Sequence, residues 1–302
     1  MNATVRIGIR ILLLIAIALP GALPAAEGGH PLSMWQIDGL HNRIYLLGSI
    51  HLLREEDHPL PSAIYDAYND AETLIMELDM DDVDPIATQA MTVELGLIKD
   101  DRTLADLLGP DVYAEAEKLA LATEIPLNLL SRAEPWYAAM NVELMLLMRM
   151  GFNPSLGIET HLMEMAQNDH KEILGFETMR EQLEFLDGLS AEAQREMFMQ
   201  ALSEGNTMLE LMDSMIEAWR NGDTKFLEDN LLSDMQDYPE LNKTIVVDRN
   251  ANWTRQIEDL MDDDIDYLII VGTLHLVGEG GVPGLLARRG YTVTQLQQPS
   301  KQ

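Results

Sequence analysis

Cysteine is absent from the 302 residues of the chain, and its absence excludes several kinds of site at once. Without thiols there is no disulfide, no cysteine nucleophile, and no zinc or iron–sulfur site built on cysteine. The stability of the fold must therefore come from its core. Hydrophobic residues make up 47% of the chain, which is ample for a packed interior.

Positive charge is also scarce, because 20 Lys and Arg stand against 51 Asp and Glu and give a formal net charge of −31. Nucleic acids and anionic lipids bind proteins through Lys and Arg that neutralise phosphate. We therefore expect no nucleic-acid partner, while nothing in the sequence fixes an oligomeric state. The acidity itself favours solubility.

Long apolar runs are confined to the beginning of the chain. Arg6 and Arg10 precede the apolar stretch 11–19, and the small-residue segment 21–26 follows it. This order is that of a secretory signal peptide, which we place at residues 1–26. No later stretch approaches the roughly 20 apolar residues that span a bilayer. We expect a mature protein without a membrane span, periplasmic or secreted.

One short pattern occurs twice, each time after an apolar run. Residues 48–51 read Gly-Ser-Ile-His after the run 43–47, and residues 272–275 read Gly-Thr-Leu-His after the run 267–271. A short, partly β-branched run that ends at glycine is typical of a buried strand. Two such strands in one sheet would bring His51 and His275 together. The alternative is that each histidine only binds a carbonyl group of its own loop.

The pattern along the chain predicts an α/β fold, with a mixed sheet from two related half-units and a large helical middle. We expect one domain over residues 30–298 with helical insertions at about 85–155 and 190–232. Strands are predicted at 34–38, 43–47, 73–78, 172–177, 267–271 and 291–294, and helices at 62–71, 158–167, 243–261 and 284–289.

Two glutamates share the placement of the histidines. Glu77 and Glu177 are lone carboxylates at the ends of the predicted strands 73–78 and 172–177. In open α/β sheets, catalytic groups gather outside the carboxyl ends of the strands. We therefore expect both glutamates beside the histidines, although a carboxylate such as Glu77 could instead cap the next helix or face solvent.

Arg249 lies on the inward side of the predicted helix 243–261. The apolar residues of that helix form one stripe, and Arg249 falls on it three positions after Val246. A buried guanidinium must be paired. The pairing of Arg249 could serve only to stabilise the fold, or Arg249 could stabilise a developing oxyanion. His161, on the stripe of another helix, is expected to be a core histidine.

Together these segments resemble a bacterial, exported GumN-like member of the TraB/GumN/Tiki family, and the resemblance spans nearly the whole chain after the signal peptide. The matching pieces are residues 48–51, the strand ending in Glu77, 135–136, 157–166, 175–178 with Gln182, 248–250, and 272–275 with the following loop and 289–291.

The resemblance implies a fold related to the erythromycin-esterase and ChaN-like proteins. It also implies an active site of His51, Glu77, Arg249 and His275, with Glu177 at a further matching position. Animal Tiki members are metal-dependent proteases, and enterococcal relatives act in shutting down peptide pheromones. The resemblance therefore implies a peptide or small-molecule substrate, but the identity of that substrate does not transfer from these relatives.

Three hypotheses about function follow. In the first, the protein is a metal-dependent peptidase in which His51, Glu77 and His275 hold manganese, cobalt or zinc, with the metal polarising water. In the second, it is a metal-free, esterase-like hydrolase in which His51 or His275 is the general base. In the third, it binds haem, a metal or another small ligand, with Trp136 and methionines as an apolar wall.

Overall fold

The computed structural model describes residues 30–80, 83–203, 208–232, 235 and 238–299. The predicted signal peptide lies outside these ranges. Six strands form one sheet in the described chain: β1 (His30–Asp38), β2 (Arg43–Ser49), β3 (Thr73–Leu78), β4 (Glu172–Glu177), β5 (Tyr267–Gly272) and β6 (Val293–Gln298).

The α-helices of the described chain surround this sheet or form the segments between its strands. They are α1 (Ser62–Asp70), α2 (Pro85–Gly96), α3 (Leu104–Leu108), α4 (Pro110–Ala122), α5 (Pro135–Arg149), α6 (Ile158–Asp169), α7 (Met179–Asp187), α8 (Ala191–Ser203), α9 (Met208–Arg220), α10 (Thr224–Leu231), α11 (Pro239–Asn242), α12 (Asp248–Leu260) and α13 (Val282–Arg288). None of them is both long and apolar enough to cross a bilayer.

The sheet is mixed, with the order β4-β3-β5-β2-β1-β6. Strands β4, β3, β5 and β2 are parallel, whereas β1 runs antiparallel to both of its neighbours. Every residue of β5 is buried, as expected of a central parallel strand covered on both faces. The predicted mixed α/β class and the opening hairpin of β1 and β2 are confirmed.

Two apolar layers cover the sheet, and the side chains of β5 alternate between them. Leu268 and Ile270 pack into the cluster that includes α1, α6, α9 and α10. Ile269 and Val271 pack into the opposite cluster, which includes α12 and α13. This alternation follows from the period of two along a strand and fixes which helices lie over the sheet.

The helical middle has a core of its own. Helices α3, α4, α5 and α8 bury one apolar cluster, which contains Leu104, Ala120, Val142 and Phe198. The predicted helical segments at about 85–155 and 190–232 therefore meet through α5 and α8. Helices α9 and α10, from the second segment, instead return to the sheet and pack near the end of β2.

Some predicted boundaries differ from the structure. Strand β1 begins at His30 rather than residue 34, and β6 lies at 293–298 rather than 291–294, because the two strands pair with each other. Helix α13 begins at Val282, with Pro283 in its first turn. The predicted helix 243–261 is a π-helical turn, Lys243–Val247, followed by α12.

Candidate active site

The carboxyl ends of the four parallel strands meet at one edge of the sheet, and a cleft of about 360 Å³ opens there. His51 follows β2, Glu77 lies near the end of β3, and His275 follows β5 in a short 3-10 turn. All three line the cleft together with Arg249 from α12. The structure therefore brings the predicted residues to one site, as parallel strand ends predict.

Arg249 is the hub of this site, and it is buried. Its Nε donates to the Glu177 carboxylate at 3.0 and 3.1 Å. One terminal nitrogen donates to Glu77 at 2.5 Å and to Glu177 at 2.8 Å, and the other donates to His275 at 3.1 Å and to the carbonyl oxygen of Ile245 at 3.3 Å. All five N–H groups of the guanidinium therefore have acceptors.

Glu177 lies behind the cleft and holds Arg249 in place. Besides Arg249, its carboxylate accepts hydrogen bonds from Trp253 Nε1 at 2.9 Å and Gln182 Nε2 at 3.1 Å. The guanidinium also lies over the Trp253 ring, 4.6 Å from its centroid. Glu177 thus supplies the negative charge that a buried guanidinium needs, and this geometry gives it a positioning role.

Glu77 is the carboxylate that faces the cleft. Its Oε1 accepts from the backbone N–H of Gly272 at 2.8 Å, and its Oε2 accepts from Arg249 and from Gln182 at 3.2 Å. Burial opposes ionisation, but the positive charges that His275, Arg249 and His51 can carry outweigh it and lower the pKa of Glu77 to about 2. Glu77 is therefore an anion at physiological pH.

His275 is fixed on both ring nitrogens. Arg249 donates to Nε2, so Nδ1 must carry the proton, and it donates to the side-chain oxygen of Asn250 at 2.7 Å. The ring also packs on Trp253, with 4.5 Å between centroids. Burial lowers the pKa of His275 to about 4, so this histidine is neutral at pH 7.

His51 has a different partner. Its Nδ1 lies 2.6 Å from Oε1 of Glu159, a residue in the first turn of α6. Glu159 also accepts a hydrogen bond from the Ser49 hydroxyl. The charge of Glu159 raises the pKa of His51 to about 9. Because the Nδ1 proton points to Glu159, the Nε2 of a neutral His51 is a free base; 63% of the side-chain surface is exposed.

The backbone at Gly272 shows how closely the site converges. A Cβ atom built there would lie 3.2 Å from Oε1 of Glu77, 3.7 Å from Nε2 of His51 and 3.7 Å from Cδ2 of His275. Only a residue without a side chain leaves this space open. Water or a reacting group can therefore approach Nε2 of His51 and Glu77 at the same point.

Comparison with known proteins gives a family match over most of the chain. A family model described as the TraB/PrgY/gumN family matches residues 33–295. The chain belongs to this family. The match covers all four strand ends and Arg249, and it confirms the resemblance that the sequence motifs predict.

Curated relatives of this TraB/PrgY/gumN chain span most of its length. The uncharacterized protein YbaP of Escherichia coli (strain K12) is 22% identical over 246 residues, covering 82% of this chain and 88% of YbaP. YbaP of Shigella flexneri is 23% identical over 242 residues, covering 80% and 87%. An uncharacterized protein of Treponema pallidum (strain Nichols) is 26% identical over 166 residues, covering 55% of this chain and 49% of that protein. No solved structure matches the chain significantly.

The predicted metal ligands of this family member already have other partners, with Glu77 and His275 bound to Arg249 and His51 bound to Glu159. His275 Nε2 and Glu77 Oε2 both face the guanidinium of Arg249 rather than an open coordination position. Among the described residues, no group of three or more His, Cys, Asp or Glu is arranged to hold an ion. As arranged, these side chains do not fit a metal ion, and the cation at the centre of the site is Arg249.

Sequence reasoning missed Glu159. A glutamate in the first turn of a helix is common, because its charge complements the helix dipole. The residues around Glu159 do not distinguish it from such a helix-stabilising glutamate. The available signal was Gly157, two residues earlier, where an added Cβ would lie 2.1 Å from the backbone oxygen of His51. Glu159, Asn250 and Gln182 all belong to the matching pieces of the sequence, but their contacts become evident only in three dimensions.

Two other expectations have clear outcomes. His161 lies outside the cleft, with its Nε2 at 3.2 Å from the Tyr65 hydroxyl, but it is half-buried and not the core histidine that the helix pattern predicts. The prediction that Trp136 forms part of the apolar wall of the site is wrong. Its side chain is fully buried with Leu95 and Leu183, and the apolar wall of the cleft comes from other residues.

Proposed function

We propose that the protein is a hydrolase in which His51 acts as the general base toward a water molecule in the cleft. The observation that carries this proposal is the Glu159–His51 pair. Its 2.6 Å contact fixes the Nδ1 tautomer and leaves Nε2 directed to the open space beside Gly272. A carboxylate that orients histidine for proton abstraction is the arrangement that hydrolases use to activate water or a hydroxyl.

The surrounding groups suit the charge changes of that step. As His51 takes a proton it becomes an imidazolium, and the anions Glu159 and Glu77 stabilise it. Arg249 keeps Glu77 ionised and in position. Because its five N–H groups all have acceptors, we assign Arg249 a positioning role rather than the predicted contact with the oxyanion.

His275 is neutral and locked between Arg249 and Asn250, so it is a poor candidate for the base. Its position supports a role in holding the guanidinium of Arg249 in place and in forming the wall of the cleft. The two histidines of the repeated pattern therefore have different roles in this proposal, with His51 moving the proton and His275 holding the site.

The reaction class that we propose is hydrolysis of an ester or peptide bond, on a fold of two related half-units like that of the erythromycin-esterase and ChaN-like proteins. We further propose that residues 1–26 are removed as a signal peptide and that the protein acts in the periplasm or outside the cell. N-terminal sequencing of the mature protein tests this, and an intact Met1 would contradict it.

A metal-dependent peptidase using manganese, cobalt or zinc is the second form of the proposal. The convergence of His51, Glu77 and His275 on the space beside Gly272 favours it. The engagement of Glu77 and His275 with Arg249 opposes it, and no step above depends on an ion. Elemental analysis of the purified protein and titration with each metal distinguish the two forms.

A haem or small-ligand binding protein is the third form, and the apolar wall of the cleft favours it. A haem absorption band in the purified protein would support it. A colourless protein that hydrolyses substrates would rule it out.

The test of the proposed function is a panel of ester and peptide substrates with wild-type protein after exhaustive chelation. We expect turnover to persist, and we expect His51→Ala to lower kcat/KM by about 10² to 10⁴, the range for loss of a general base. The control is His41→Ala, since His41 is exposed in the turn between β1 and β2. Equal activity of His51→Ala and His41→Ala would refute the role of His51. Activity that chelation abolishes and one added metal restores would favour the metal-dependent form.

A further inference from the structure

The cleft at His51 is mostly apolar away from its reactive edge. Its walls are formed by residues of α5, α9, α10 and the π-helical turn, and they include Leu147, Met212, Met215, Leu231 and Ile245. Trp219 closes one side, and its Nε1 donates to the backbone oxygen of Gly48, which ties this wall to the end of β2. The reactive groups thus lie at one end of an apolar chamber.

The apolar surface continues beyond this cleft. A second cavity of about 560 Å³ shares six residues with the first, namely Leu147, Met212, Met215, Leu231, Ile245 and Leu274. Met197 and Met235 add to its wall. Because methionine side chains are flexible and polarizable, such a wall adapts to apolar groups of different shape. The two cavities form one apolar lobe that extends away from His51.

A smaller cavity of about 270 Å³ lies on the other side of His51 and Glu77, and it has a different character. Glu159, Thr160 and Gln182 line it beside apolar residues such as Met76 and Met80, so it is more polar than the apolar lobe. His51 and Glu77 belong to both this cavity and the main cleft, so they lie at the border between the apolar lobe and this more polar cavity. A substrate whose reacting carbonyl lies at His51 can direct an apolar part to one side and a polar part to the other.

The charges around the apolar lobe restrict its occupant further. Arg249 is the only permanently cationic side chain among the described residues that line the two apolar cavities, and its N–H groups are all bound to acceptors. At the reactive edge, charged His51 can pair with an anion. Farther into the lobe, an anionic group would have no free cation to pair with. A buried unpaired charge is strongly unfavourable.

Resting on the hydrolase proposed above, we propose that this lobe binds an uncharged aliphatic or aromatic group attached to the carbonyl that His51-activated water attacks. The group is supplied either by the acyl chain of an ester or by an apolar side chain of a peptide. The water oxygen bonds to the carbonyl carbon, the bond to the leaving oxygen or nitrogen breaks, and the proton taken by His51 passes to that leaving atom.

The first experiment measures kcat/KM for uncharged 4-nitrophenyl esters of acetic, butyric, hexanoic and octanoic acid. A parallel series uses blocked, uncharged peptides with Gly, Leu or Met at one position, and a Glu peptide as the anionic comparison. We expect kcat/KM to rise up to about fourfold for each methylene that the lobe buries. The Glu peptide is expected to be the poorest of its series. The series with the larger kcat/KM identifies the source of the apolar group.

The second experiment measures binding of Nile red, an uncharged apolar dye, and its displacement by octanamide or octanoate. We expect wild type and His51→Ala to bind the dye equally, octanamide to displace it, and octanoate to displace it at least tenfold less well. Met215→Glu should weaken dye binding at least tenfold, and Met215→Ala should weaken it less. The control is Met148→Glu, since Met148 is exposed on α5 outside the lobe.

The outcomes separate this inference from the proposed function. Dye binding that depends on Met215, in a protein that hydrolyses nothing, would keep the apolar lobe and refute the hydrolase. Hydrolysis that requires His51 but favours acetate or the Glu peptide would keep the hydrolase and overturn the apolar lobe. Dye binding that Met215→Glu and Met148→Glu affect equally would also overturn it. Thermal unfolding of each variant shows whether a loss of binding reflects a loss of folding.

Discussion

His51 and His275 follow equivalent strands, but their surroundings give them opposite protonation at neutral pH. Glu159 raises the pKa of His51 to about 9, whereas burial lowers the pKa of His275 to about 4. The stabilisation from charged His51 is complete below its ordinary pKa of about 6.5 and is lost as the pH rises through 9. For His275, the folded state is favoured above about 6.5, and that advantage is lost as the pH falls toward 4.

Replacing Glu159 by Gln tests the link between this pKa and activity. A base must be neutral to take a proton, so we expect kcat/KM of the wild type to rise with pH up to about 9. In Glu159→Gln the rise should move down toward about 6.5, the ordinary value for histidine, and the plateau should fall because the imidazolium loses a stabilising anion.

The measurement is the pH profile of kcat/KM, which reports the pKa of the free enzyme. Glu164→Gln is the matched control, because Glu164 is exposed on the same helix. A Glu159→Gln profile that superimposes on the wild type would show that Glu159 does not set the protonation of the base.

Replacing Arg249 by Met tests how much its buried ion pairs stabilise the fold. The change leaves Glu77 and Glu177 buried without their cation, and removal of one partner from a buried ion pair costs about 3–5 kcal/mol. We expect chemical denaturation to show a loss of this size. Arg180→Met, which breaks only exposed pairs, should leave the denaturation midpoint unchanged. If Arg249→Met leaves the free energy of unfolding unchanged, Glu77 and Glu177 ionise without the charge of Arg249.

Residues at the site divide into those that a pattern predicts and those that it does not. His51, His275, Glu77 and Glu177 all follow or end apolar runs, so strand ends predict their meeting. Glu159 is at the start of a helix, and only the packing of that helix against the chain at His51 makes it part of the site. Its role depends on the arrangement of α6 relative to β2, which no local pattern contains.

At the scale of elements, the close contact between α6 and the end of β2 holds Glu159 against His51. Gly157 precedes α6, and its hydrogen atoms lie where a Cβ would meet the His51 carbonyl oxygen at 2.1 Å. The backbone N–H of Ile158 also donates to the carbonyl oxygen of Ile50 at 3.1 Å. The helix can approach this closely only because residue 157 has no side chain.

Gly157→Ala therefore tests this contact. The methyl group must push α6 away from His51, and overpacking of this kind typically costs about 1–3 kcal/mol. We expect reduced stability together with a fall in kcat/KM, because the distance between Glu159 and His51 increases. Gly280→Ala is the control, since a Cβ there meets nothing within 4 Å. If both variants keep full activity, the close approach of α6 does not matter to the site.

Strands with apolar runs were predictable, but the edge strand β6 was less so. Its last four residues are Gln295-Leu296-Gln297-Gln298, which have little β propensity, and pairing with β1 rather than its own sequence extends the strand. The π-helical turn before α12 likewise has no clear local signal. In both cases the tertiary environment decides the conformation of a segment that its sequence leaves open.

At the scale of the whole molecule, the excess of acidic residues contrasts with the composition of the site. The chain carries a net charge of −31, yet its candidate active site is organised around one buried guanidinium. Surface acidity favours solubility and repels anions. The same field repels anionic ligands from the cleft, which agrees with the uncharged occupant proposed for the apolar lobe.

The order of strands in the sheet also differs from their order in the chain. Strand β5 lies between β3 and β2 at the centre, although it is the fifth strand to be synthesised. Until residue 267 emerges from the ribosome, β2 and β3 have no common neighbour, and each exposes an unpaired edge. Pairings so distant in sequence form slowly. The newly made chain therefore depends on protection of these edges until about its last eighth arrives, and its candidate active site is incomplete before then.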